Sequence, residues 1–125
     1  MGLYTIALFG EAEKGAYNTP YFCKSLNDLA NHLGNPPDES RGLYFAIQAI
    51  LYQRNLIFLR VKEEGYSTED YLAGANLLKN RLIIPKITAI CMPGVGEDKI
   101  LSAVKPLCHI LITNVADFYD YMTWS

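Results

Sequence analysis

"NLIFLRVKEEGYSTEDYLAGANLLKN", residues 55–80, decides the fold class of this chain. Residues 55–62 form a short apolar run and predict an interior strand covered on both faces. Glu63-Glu64-Gly65 ends it. Ser67 and Asp70 then stand in capping-box spacing, and the pattern over 67–80 predicts a helix. Gly74 inside that helix costs about 1 kcal/mol against Ala, which points to close packing there. A buried strand feeding a capped helix is half of a βαβ unit, so the same signal is sought on either side.

It recurs in both directions. Upstream, "LYTIALFG" (3–10) reads as a buried first strand. "SLNDLANHLG" (25–34) reads as a short helix capped by Ser25 and stopped by Gly34. Within 39–54, Leu43, Ala46, Ile47, Ile50 and Leu51 recur at helical spacing, with Gly42 letting the first turn sit close to the sheet. Downstream, "KITAICM" (86–92) and "HILIT" (109–113) read as strands. Residues 96–108 read as a helix with acids in its first turn and Pro106 at its end, and 114–122 as a helix capped by Asn114. Two segments, 17–24 and 81–84, are candidates for a fifth strand. The prediction is a three-layer α/β fold: one domain over 1–125, with a mainly parallel sheet of four to five strands and helices on both faces.

The composition fits such a domain. Of 125 residues, 50% are hydrophobic and 19% charged, enough apolar surface to offset the entropy of ordering. The net charge is −2 and no basic stripe appears, which argues against a nucleic-acid partner. The start has no basic segment before its apolar run, and no run approaches the ~20 residues of a membrane span. Three widely spaced cysteines, Cys23, Cys91 and Cys108, suit a reducing cytoplasm.

Two glycine loops invite a phosphate-binding reading. In "FGEAEKGAYNTPYF" (9–22), Gly10 and Gly15 flank Lys14, but a phosphate loop needs Lys and Ser or Thr directly after the second glycine. Ala16 and Tyr17 stand there instead, and Glu11 and Glu13 add negative charge. In "PGVGEDK" (93–99), Glu97 and Asp98 occupy the electropositive helix end, so a tight βα turn is the expected role. Cys108 and His109 are neighbours whose side chains diverge on a strand, and no ligand spacing predicts a metal site. A Cys91–His109 pair assembled in space is the remaining candidate nucleophile. No catalytic residue and no cofactor is assigned, because no motif supplies a nucleophile, a base and an oxyanion donor together.

In open α/β sheets ligands bind beyond the carboxyl ends of the strands. Gly10, Glu63, Gly94 and Gly96 are the candidates for that rim, bordered by Pro93 and Thr113, with the Glu63 and Glu64 carboxylates expected to be solvated. The nine tyrosines and the ending "DFYDYMTWS" add an interface-prone signal, since Tyr and Trp bury well yet keep a polar tip.

The linear order of turns resembles the core domain of contractile tail sheath proteins, found in phage tails and related injection machines, without their terminal arms. The pieces that carry it are Lys14-Gly15-Ala16-Tyr17-Asn18-Thr19-Pro20, the capped helix Ser25 to Gly34, "NLIFLRV" ending in Arg60-Val61, the helix from Gly74 to Leu78, and Pro93-Gly94. The match spans roughly residues 3–105. The resemblance implies a structural or adaptor module. The expected partner is a protein, or a second copy in a homo-oligomer, met through Lys14, Tyr17 and Asn18 in the turn and Tyr119, Tyr121 and Trp124 in the tail. The alternative is a regulatory domain binding a small molecule or nucleotide at the rim.

Overall fold

Strand β1 (Thr5–Gly10) is buried at every position and forms the centre of the sheet. The computed structural model describes residues 5–80 and 82–123. The strand lies parallel to β3 (Asn55–Arg60) in register from Thr5↔Asn55 to Gly10↔Arg60. On its other side it pairs parallel with β4 (Ala89–Cys91), which pairs parallel with β5 (Ile110–Ile112). The expected fifth strand is β2 (Pro20–Cys23), antiparallel to β3 on the outer side, giving the order β2-β3-β1-β4-β5. Pro20 opens this edge strand, a position where the missing N–H breaks no ladder. The other candidate segment is not a strand: 82–84 belong to a turn folded onto Asn80, and Arg81 lies outside the described residues.

Alternation along the strands sorts the core into two layers. Ile6, Leu8, Leu56, Phe58, Ala89, Cys91 and Ile112 face α1 (Leu26–Leu33), α2 (Gly42–Leu51) and α5 (Val115–Thr123). Ala7, Phe9, Ile57, Leu59 and Ile90 face α3 (Thr68–Leu78) and α4 (Asp98–Val104). The molecule is therefore a three-layer α/β domain with a five-stranded, mostly parallel sheet. Gly74 is accounted for, because a Cβ there would collide with the Phe9 ring.

Capping follows the sequence at two helices and departs from it at a third. Ser25 Oγ accepts from Asp28 N at 3.1 Å, and Asn114 Oδ1 accepts from Asp117 N at 2.9 Å. Ser67 makes no cap bond. Its hydroxyl instead accepts from Glu63 N and donates to Glu63 O, while the Asp70 carboxylate accepts from Lys62 N at 2.8 Å. Both side chains secure the exit of β3, a local alternative to capping that Ser and Asp offer readily. Strands β4 and β5 are shorter than their apolar runs, and Pro106 sits in a 3-10 turn (Lys105–Leu107) that continues α4. Among the described residues no helix is long and apolar enough to cross a membrane.

Candidate functional site

The carboxyl ends of β1, β3 and β4 meet at a cleft of about 290 Å³ lined by Glu39, Arg41, Glu64, Tyr66, Pro93 and Gly94. The side chain that organises it is Glu64. Its Oε1 accepts from Arg41 N at 2.8 Å, and its Oε2 accepts from Gly42 N and Glu11 N, both at 2.9 Å. Glu11 returns the bond, its carboxylate accepting from Glu64 N at 2.9 Å. Arg41 offers α2 no side-chain cap, so the cap arrives from 22 residues downstream. The partial positive charge of a helix N-terminus, which attracts an anion in many α/β domains, here holds the chain's own carboxylate.

A close approach makes this geometry reachable. A Cβ on Gly42 would lie 2.6 Å from Gly10 Cα and 2.9 Å from Glu64 Oε2. The two glycines let the start of α2 rest against the end of β1, which brings Gly42 N to Glu64. Below the cleft, the Tyr71 hydroxyl accepts from Gly65 N at 2.7 Å, and its ring stacks on Phe9. Burial raises the Tyr71 phenol above its ordinary range, so it remains a neutral strut under the rim loop.

The other rim candidates are placed as follows. Gly94 lines the cleft and its N donates to Thr113 O at 3.1 Å, whereas Gly10 is packed against Gly42 behind Glu64. The Glu63 side chain is exposed while its backbone bonds Ser67, and Gly96 has open space around its Cβ position. Glu64 is thus no solvated loop carboxylate, and it is Glu64 rather than Glu63 that shapes the rim. Sequence spacing carried no sign of this, since its three donors come from residues 11, 41 and 42.

The turn at 14–18 is knit to the body. The Arg60 guanidinium donates to Gly15 O at 2.6 Å and Ala12 O at 3.0 Å, and lies 4.5 Å from the Tyr17 ring centroid. Lys14 N donates to Leu33 O, leaving the Lys14 side chain in solvent. Gly15 and Asn18 take φ of 109° and 55°, the left-handed region that suits both residue types. In the tail, Tyr119 is 44% exposed, whereas Tyr121 is only 3% exposed and packs in the core, with Arg54 over its ring at 5.3 Å. Trp124 lies outside the described residues.

The structure does not bring Cys91 and His109 together as a nucleophilic pair. Cys91 is fully buried in register with Ile112, three residues past His109, or ~10 Å along the strand. Burial raises its thiol pKa, the opposite of activation. Burial, and then the Asp28 charge, push the Cys23 thiol up to about 11. A thiol reagent should therefore modify Cys23 and Cys91 only as fast as the protein opens. Prompt labelling of either in the native state would contradict this. Because both thiols hold their protons more tightly folded than unfolded, stability is expected to fall as pH rises through 9.0 toward about 11. Denaturant melts at neutral and alkaline pH check the sign.

Compared with known protein families, curated proteins and solved structures, the chain matches none of them.

Proposed function

We propose that this chain is a non-enzymatic assembly or adaptor protein that works through protein–protein association, self-association included. The observation that carries it is the Glu64 carboxylate at the N-terminus of α2: the anion seat of the rim is already taken. Large apolar side chains meanwhile stand in solvent, among them Phe22, Leu82, Ile83, Val115 and Tyr119. Leu82 and Ile83 are neighbours, and contiguous exposed apolar surface marks interaction sites. The sheath-like order of turns motivates the same role. A reducing, cytoplasmic setting belongs to the proposal, in keeping with three free thiols.

The rim cleft itself favours a second role, a regulatory domain that takes a small molecule or nucleotide between Arg41, Tyr66 and Gly94. A thermal-shift panel of nucleotides, sugar phosphates and free phosphate separates the two. The assembly role expects no stabilisation of the wild-type chain. A stabilising compound whose effect is lost in Arg41→Ala or Tyr66→Ala would replace it with the ligand-binding role.

A further inference from the structure

The loop after α3 is a built projection. Asn80 closes it, its side-chain Oδ1 accepting from Leu82 N at 3.1 Å and its backbone oxygen accepting from Ile83 N at 3.2 Å and Ile84 N at 2.9 Å. The turn buries Ile84 and holds Leu82 at 97% and Ile83 at 62% exposure. Exposed Lys79 and Lys86 flank the pair. Pro85 shares a cleft with Thr5, Asn55 and Lys24, so the projection stands at the amino end of the sheet.

The β5 edge presents its complement. A groove of about 310 Å³ runs between β5 and α5, lined by Ile110, Leu111, Asp117, Asp120 and Tyr121. Its floor is apolar and its rim carries two carboxylates. Ile110 N donates to Thr88 O and Ile112 O accepts from Met92 N, so both residues turn their backbone toward β4. By alternation the backbone N–H and C=O of Leu111 point outward, where no strand pairs with them among the described residues.

We infer that copies of this chain associate head to tail, with Leu82 and Ile83 of one copy seated in the groove between β5 and α5 of the next. This rests on the association role proposed above and names its partner as a second copy. The charges match, since Lys79 and Lys86 of the projection meet Asp117 and Asp120 of the rim, and so do the apolar surfaces. Projection and groove are different surfaces of one chain, so the contact is heterologous and extends into a chain or closes into a ring.

Sedimentation velocity of two surface variants tests it. Leu82→Ser with Ile83→Ser removes the projection, and Asp120→Lys reverses the groove rim; both alter exposed positions, so folding is retained. Each variant alone is expected to sediment as a monomer. Their equimolar mixture is expected to form a dimer of twice 14.0 kDa and stop there, because each copy keeps one working half. A mixture that stays monomeric, or a single variant that associates like the wild type, overturns this contact but leaves association through another surface. A wild-type chain that is monomeric at every concentration overturns the second copy as partner, and only a different protein then remains for the assembly role.

Discussion

Replacing Glu64 with alanine is expected to cost about 3 kcal/mol, and a small anion is expected to restore part of it. The carboxylate accepts three backbone N–H groups, from Glu11, Arg41 and Gly42. Bonds to an ionised acceptor contribute about 1.5–3 kcal/mol each, and partial exposure lets water replace some of that. For a domain of this size the melting temperature should fall by roughly 10 °C. The truncation also opens an anion-sized space at the start of α2. Phosphate or acetate at about ten times its dissociation constant would return about 1.4 kcal/mol, while leaving the wild type unmoved. Glu64→Gln is the control, since its amide still fills the space and should show no rescue. Chemical denaturation with and without added phosphate measures all three proteins. An E64A variant as stable as the wild type would remove the carboxylate from the account of the rim.

Gly42→Ala is the second large effect, and its sign is the informative part. In an exposed helix the change would stabilise by about 1 kcal/mol. Here the new methyl would stand 2.6 Å from Gly10 Cα, a backbone atom that cannot rotate away. The start of α2 must lift, which costs about 1–3 kcal/mol as overpacking and also stretches the Gly42 bond to Glu64. A net loss of about 3 kcal/mol is expected, measurable by urea titration. Gly96→Ala, with nothing within 4 Å of its Cβ position, is expected to stay within about 0.5 kcal/mol of the wild type.

The architecture was readable wherever the signal is local. Apolar runs marked β1 and β3, Ser25 and Asn114 marked helix starts, and Gly42 and Gly74 announced two close approaches that the packing contains. What stayed hidden depends on distant partners. For strand β2 the segment 17–24 was legible as a candidate, but not the choice between it and 81–84, because its four residues gain their character from antiparallel pairing with β3, Tyr21 with Phe58 being 37 positions apart; an edge strand with Phe22 exposed has no alternation of its own to read. Glu64 was indistinguishable from Glu63 because its three donors are 22 to 53 positions away. Ser67 carried a valid capping pattern that the exit of β3 took over. Tyr121 was legible in principle, since Phe118, Tyr121 and Met122 share one helical face and all three are buried. The excess of aromatics is a compositional signal that does not distinguish buried Tyr121 from exposed Tyr119.

Light scattering of the wild-type chain across a wide concentration range, at low and at high salt, tests the central claim most directly. The rim filled from within, the cationic apolar loop after α3 and the acidic apolar groove at β5 predict a mass that climbs above 14.0 kDa with concentration and falls back as salt screens Lys79, Lys86, Asp117 and Asp120. A mass fixed at that of one chain under all conditions, together with stabilisation by a nucleotide or phosphate compound at the Glu64 rim, would contradict it.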